Sequence, residues 1–296
     1  MPFATVSPGM TLSYEVHGEG EPVLLVMGLG AQLTSWPDAF VVGLVERGFK
    51  VVAFDNRDIG LSTKGTSRPP STLRSIAATV ARRFAKPEYL LSDMADDATG
   101  LLDVLGIERA HIVGVSMGGM IAQQLAIGHP GRVSSITSIM STTGDRRVGR
   151  VKTSIAFKLV RLSRGTRETF VDRQAEIFRL ISGSSYDDAE LRTIAGRSVA
   201  RDYTPDGAAR QATAILASPD RTPLLRTLNV PTLVVHGLED TLVTPSGGFA
   251  TTKAIPGARL LAFPDMGHNL PQHRIPVTPR SCRVRFPCCC WSAHCR

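Results

Sequence analysis

The chain has 296 residues, 43% hydrophobic and 20% charged, with a formal net charge of +8, an ordinary composition for a globular protein with a sizeable core. The positive excess gathers in residues 145–226 and 272–296 and leaves the remainder mildly acidic. With no zinc-finger spacing or RNA-binding aromatic motif beside it, it reads as a solvated basic surface, and nucleic acid is not an expected partner. No basic-then-apolar leader opens the chain and no run of about 18 apolar residues interrupts it, so a cytoplasmic protein without stable membrane insertion is expected.

Taken in chain order, TLSYEVHG (Thr11–Gly18) alternates with period two and predicts an antiparallel edge hairpin with the stretch before it. PVLLVMG (22–28) and KVVAFD (50–55) are short continuous apolar runs, as expected for strands buried on both faces. Between them, Ser35–Arg47 places Trp36, Phe40, Leu44 and Val45 at helical spacing. Residues 74–84 carry Ile76, Val80 and Phe84 at the same spacing among arginines. LSDMADDATGLLDVLG (91–106) predicts a helix with Ser92 as its N-cap and acids in the first turn.

AHIVGV (110–115) is another buried strand, and a helix follows at once from Met117, stopped by Gly128, His129 and Pro130. RVSSITSIMST (132–142) reads as a strand. From Asp145 to Arg226 the strand rhythm gives way to amphipathic, Arg-rich helical patterns, and strands resume at PTLVVHG (231–237) and ARLLAFP (258–264). Strands alternating with helices predict a parallel α/β sheet. The expected layout is a core of 1–144 and 227–271, a helical insertion at 145–226 and a tail at 272–296. A basic amphipathic helix can lie on a membrane, but a stripe of this kind packs more often on its own domain, so the insertion is read as a cap with an apolar underside.

The tail, QHRIPVTPRSCRVRFPCCCWSAHCR, holds all five cysteines (Cys282, Cys288, Cys289, Cys290, Cys295) and no acid. A secreted disulfide framework would spread its cysteines through the fold. Three adjacent cysteines with His294 lack ordinary ligand spacing, so no metal site is expected. Pro276, Pro279 and Pro287 oppose a long helix. The expectation is an aberrant terminus that leaves one sheet face poorly covered.

Gly114-Val115-Ser116-Met117-Gly118 matches G-x-S-x-G. The pattern is short, and its setting gives it weight: it ends a buried strand and opens a helix, as a strained nucleophile elbow requires. Ser116 must then take an unfavourable backbone, and side chains two residues to either side would collide, which explains Gly114 and Gly118. A serine hydroxyl needs a base, and the base needs an orienting group. On this architecture the chain order is Ser, acid, His. Asp240 in HGLEDTLVTP and His268 in FPDMGHNLP each follow a predicted strand, where a parallel sheet places its site. Glu239 and Asp145 are competing acids; His17, His111, His129, His236, His273 and His294 are competing histidines, of which His111 and His236 look structural. The oxyanion needs preorganised N–H donors. These are assigned to the amides of Met117 and Leu29, with Gly28 and Gly30 letting the GLGAQ loop turn close to the site.

MGLGAQ, FDNRDIGLST, GVSMGGMIAQ, HGLEDTLVTP and MGHNLP together resemble the α/β-hydrolase superfamily, especially bacterial carboxylesterase- and methylesterase-like members, over roughly residues 10–271. The resemblance implies an eight-stranded, mostly parallel sheet flanked by helices, a helical cap, the triad Ser116, Asp240 and His268, and no cofactor. Met27 stands where many members carry histidine, a change of little consequence if the donor there is a backbone amide. The Asp55–Asp58 turn resembles the family's loop after the fourth strand, with Arg57 as a structural anchor. Members that dehalogenate or open epoxides carry Asp at the elbow, so serine points to ester hydrolysis, on a small or hydrophobic substrate that the cap's apolar underside would suit. Thioester or lipid ester hydrolysis, C–C bond hydrolysis, peracid formation and a non-catalytic ligand-binding member remain open. Nothing in the sequence sets the oligomeric state.

Overall fold

The computed structural model describes residues 1–68, 81, 84–162 and 165–270. Eight strands form one sheet in the order β1-β2-β4-β3-β5-β6-β7-β8. They are β1 (Phe3–Ser7), β2 (Met10–His17), β3 (Glu21–Val26), β4 (Phe49–Phe54), β5 (Ala110–Val115), β6 (Val133–Ile139), β7 (Thr232–Gly237) and β8 (Arg259–Phe263). β1 pairs antiparallel with β2, and β2 antiparallel with β4; all other neighbours are parallel. The C-terminal ends of β3, β5, β6, β7 and β8 therefore lie along one edge of the sheet.

The strand period of two sorts the core onto two faces. Leu24, Val26, Val52, Phe54 and Ile112 pack into one apolar cluster. That cluster is closed by α2 (Leu91–Val104) and α3 (Met117–Gly128), through Met94, Leu101, Ile121 and Leu125. Val23, Leu25, Val51, Ala53, Val113 and Val115 face the other way, against Trp36, Phe40 and Leu44. Each fully buried Leu or Ile contributes about 1.5–3 kcal/mol, enough to pin the register, because a one-residue slip would exchange the faces.

Two local expectations are corrected. The helix predicted from Ser35 begins later, as α1 (Asp38–Val45), after a short 3₁₀ turn at Leu33–Ser35. Pro37 holds Trp36 in an extended conformation, and the Trp36 ring stacks on Phe40 at 5.3 Å instead of entering the helix. Ser92 does not cap α2; it lies inside the first turn. The Asp93 carboxylate reaches back to the Leu90 amide at 2.6 Å, and Ser218 Oγ accepts from the Leu91 amide at 3.1 Å. A distant serine takes the role that the local one was expected to fill.

Between β6 and β7 come α4 (Thr153–Leu162), α5 (Phe170–Ile181), α6 (Asp188–Arg201), α7 (Pro205–Ala217) and the short α8 (Thr222–Leu225); α9 (Ser246–Ala254) joins β7 to β8. The arginines of this segment are not all solvated, contrary to the basic-surface reading. Arg201 pairs with buried Asp55 at 2.6 Å, Arg210 with buried Asp58 at 2.6 Å, and buried Arg221 donates to Gln123 Oε1 and the Thr142 carbonyl. A buried guanidinium costs several kcal/mol unless its donors are met, so these pairings are the condition of its burial. Arg57 binds Asp97 through two nitrogens at 2.5 and 2.7 Å, as a structural anchor would. No helix among the described residues is long and apolar enough to cross a membrane. The proposed helical stripe at Ile76 and Val80, and the cysteine-rich tail, lie outside the described residues.

Candidate active site

Ser116 sits between β5 and α3 with φ +55° and ψ −115°, a backbone that L-residues avoid and that costs about 1–3 kcal/mol. Its amide donates to the Ile139 carbonyl at 2.8 Å, and its carbonyl accepts from Ser141 Oγ at 2.8 Å, so β6 and the residues after it hold the strained turn. A methyl on Gly114 would strike the Gly118 carbonyl, and one on Gly118 would strike the Val26 carbonyl. These are backbone atoms with nowhere to move, which is why the elbow admits no side chain there.

Asp240 follows β7 and is fully buried. Its Oδ1 accepts from the amides of Leu242 at 2.9 Å and Val243 at 2.8 Å, and Oδ2 lies 2.7 Å from His268 Nδ1. An ionised carboxylate can only accept, so Nδ1 carries the proton. Nε2 is left to accept from Ser116 Oγ, 3.0 Å away. Burial pushes the Asp240 carboxyl up, but the attraction of His268 and hydrogen bonds from His236 and His268 outweigh it and hold the group below the ordinary aspartate value. The competing acids are engaged elsewhere: Glu239 accepts from Ser184, and Asp145 binds Arg147. Of the competing histidines, His17 pairs with Glu15, His129 with Asp96, and His111 with Ser135 and Glu21; His273 and His294 lie outside the described residues.

The loop after β3 meets Ser116 directly: a Cβ on Gly28 would sit 3.3 Å from Ser116 Cβ. The amides of Leu29 and Met117 have no intramolecular acceptor among the described residues. Met117 also opens α3, so the positive end of that helix lies at Ser116.

Sequence reasoning missed several residues that hold this geometry. His236, read as structural, is buried with Nε2 donating to the Val243 carbonyl at 2.8 Å and lying 3.5 Å from Asp240 Oδ2. The end of α5 accepts the amide of His268 on Ile181 O at 2.7 Å and that of Gly267 on Ser182 O at 3.0 Å. Asn56 Nδ2 donates to the Met27 carbonyl at 3.0 Å, and Gln211 bridges Gly30 and Arg57. Asn56 lay inside a motif already singled out; nothing local marks Gln211.

A family model described as alpha/beta hydrolase fold matches residues 21–271. The chain belongs to that family. It is 27% identical over 271 residues to the rhodomycin D methylesterase DauP of Streptomyces sp. (strain C5), covering 84% of this chain and 85% of that protein. Among solved structures, the enol-lactonase of Burkholderia xenovorans LB400 superposes with TM-score 0.69 at 25% identity, covering 90% of this chain and 92% of the other. A thermophilic esterase from Thermogutta terrifontis superposes with TM-score 0.66 at 26% identity, covering 88% and 86%.

Proposed function

We propose that this α/β hydrolase is a serine-dependent carboxylic ester hydrolase acting on small, hydrophobic esters, without a cofactor. The observation that carries the reading is the hydrogen-bonded series from Ser116 Oγ through His268 to Asp240. In this reading His268 Nε2 takes the Ser116 proton as Oγ bonds to the ester carbon, and the carbonyl oxygen becomes an oxyanion held by the Leu29 and Met117 amides. The oxyanion collapses, the C–O bond to the alcohol breaks, and His268 returns the proton to the departing alkoxide. Water, deprotonated by His268, then attacks the acyl-Ser116 carbonyl; as that intermediate collapses the acid leaves and His268 returns the proton to Ser116 Oγ. Asp240 stays ionised and stabilises the imidazolium. The segment 145–226 serves as the cap, and the half-exposed Leu29, next along the chain from the glycine that abuts Ser116, suits an apolar acyl group. A methylesterase, an enol-lactonase and an esterase among its likenesses all cleave ester bonds, which supports the class. The cytoplasm is the compartment proposed.

The test is hydrolysis of p-nitrophenyl esters from acetate to palmitate by the intact protein and by Ser116→Ala. Loss of kcat by about 10³-fold or more in a folded Ser116→Ala variant is expected. Hydrolysis that survives the substitution, or none from a folded wild type across the series, would remove the proposal.

A further inference from the structure

The loop after β3 is a four-residue turn, Gly28–Ala31, closed by the Ala31 amide on the Gly28 carbonyl at 3.3 Å. Gly30, its third residue, has φ +70°, the condition of a type II turn and one that glycine meets without strain. Types I and II differ by a flip of the central peptide, here Leu29–Gly30. Gln211 selects between them, because its Oε1 accepts from the Gly30 amide at 2.9 Å. The other end of the same side chain, Nε2, donates to the Arg57 carbonyl at 2.8 Å on the loop after β4. Gln211 has no exposed surface. Its amide is thus fixed at both ends, and α7 also packs on the turn, with Ala208 Cβ 3.3 Å from where a Gly30 side chain would begin.

The turn orients more than itself. Since the Gly28 carbonyl is drawn inward to Ala31, the trans peptide directs the Leu29 N–H the opposite way. Gly28 in turn lies against Ser116. We infer that Gln211 is a positioning residue for the oxyanion donor: from α7, 181 residues along the chain, it holds the Gly28–Ala31 turn in the form that presents the Leu29 amide to the reacting carbonyl. The inference rests on the serine-hydrolase reading. Independent anchors on the same loop, Asn56 to the Met27 carbonyl and Asp55 to the Leu33 amide, keep the chain in place without Gln211. Losing Gln211 therefore loosens the donor without removing the loop.

The experiment compares Gln211→Leu, Gln211→Glu and Gly30→Ala on p-nitrophenyl butyrate, with active sites counted by the p-nitrophenolate burst from diethyl p-nitrophenyl phosphate. Outright removal of an oxyanion donor costs ~10²–10³ in kcat, so Gln211→Leu is expected to lose about 10- to 100-fold in kcat per counted site, with KM within about twofold. Its pH profile keeps its shape, because Ser116, His268 and Asp240 are untouched. Glu at 211 is driven toward its neutral form by burial beside a carbonyl; it keeps an acceptor for Gly30 and an O–H for Arg57, and kcat stays within about threefold. Gly30→Ala disfavours the same turn while leaving the Gln211 side chain intact, its methyl meeting only Ala208 Cβ at 3.3 Å, and reproduces the kcat loss, which keeps the test alive if Gln211→Leu does not fold. Full kcat per site in a folded Gln211→Leu or in Gly30→Ala, or equal damage in Gln211→Glu and Gln211→Leu, overturns the inference. Ser116→Ala run alongside separates the two failures, because hydrolysis that persists there sinks the serine reading itself.

Discussion

Asp240 joins the fold to the proposed chemistry. Its carboxyl lies below the ordinary aspartate value in the folded protein, so its ionisation favours folding above about pH 3.9. That contribution is lost as the pH falls through the lowered value. The stability gap between the wild type and Asp240→Asn, measured by urea unfolding, should narrow as the solution is acidified below about pH 5; a gap that widens toward acid would contradict the sign. The same substitution lets an amide N–H meet Nδ1, favouring the wrong imidazole tautomer, and should lower kcat by ~10³–10⁴. Gly118 makes a purely steric prediction. Because an alanine methyl there would meet the backbone of β3, Gly118→Ala should cost at least about 3 kcal/mol in unfolding free energy, the upper end of ordinary overpacking. His236 was less legible: a histidine ending an apolar strand reads as core, and only the turn from β7 to Asp240 brings its ring 3.5 Å from the carboxylate.

At the scale of elements, the helices between β6 and β7 are joined to the sheet by buried charge. Arg210 in α7 lies against Asp58, whose carboxylate also receives the Tyr89 hydroxyl at 2.6 Å and the Gly65 amide at 2.7 Å. Removing the guanidinium leaves a buried carboxylate without its cation. Arg210→Met should therefore destabilise by about 3–5 kcal/mol in urea unfolding, and adding Asp58→Asn should recover part of that loss. Equal destabilisation in the single and double variants would mean that packing, not charge, holds α7. The amphipathic pattern of 145–226 made these helices visible in the sequence. It could not distinguish arginines that face water from those that face Asp55 and Asp58, because both kinds interrupt the apolar stripe in the same way.

Across the whole molecule, the segment between β6 and β7 touches both halves of the candidate site. Gln211 reaches the Gly28–Ala31 turn, and Ile181 and Ser182 accept the amides of His268 and Gly267. Contacts this closely interleaved predict one cooperative transition. Far-ultraviolet circular dichroism and tryptophan fluorescence should melt with coincident midpoints, and separated midpoints would show that the segment unfolds by itself.

What the sequence determined by itself follows from short-range physics. Apolar runs, glycines beside Ser116 and turn residues past strand ends are local signals, so the α/β architecture, the elbow and the chain order of Ser116, Asp240 and His268 were all readable before any coordinates. What only the tertiary structure decided depends on groups far apart in the chain. Ser218 caps α2, Asp240 and not Glu239 meets His268, and Gln211 fixes the turn beside Ser116. A hydrogen bond has no periodicity along the sequence. It is settled when packing brings a donor and an acceptor to within about 3 Å and leaves neither of them water.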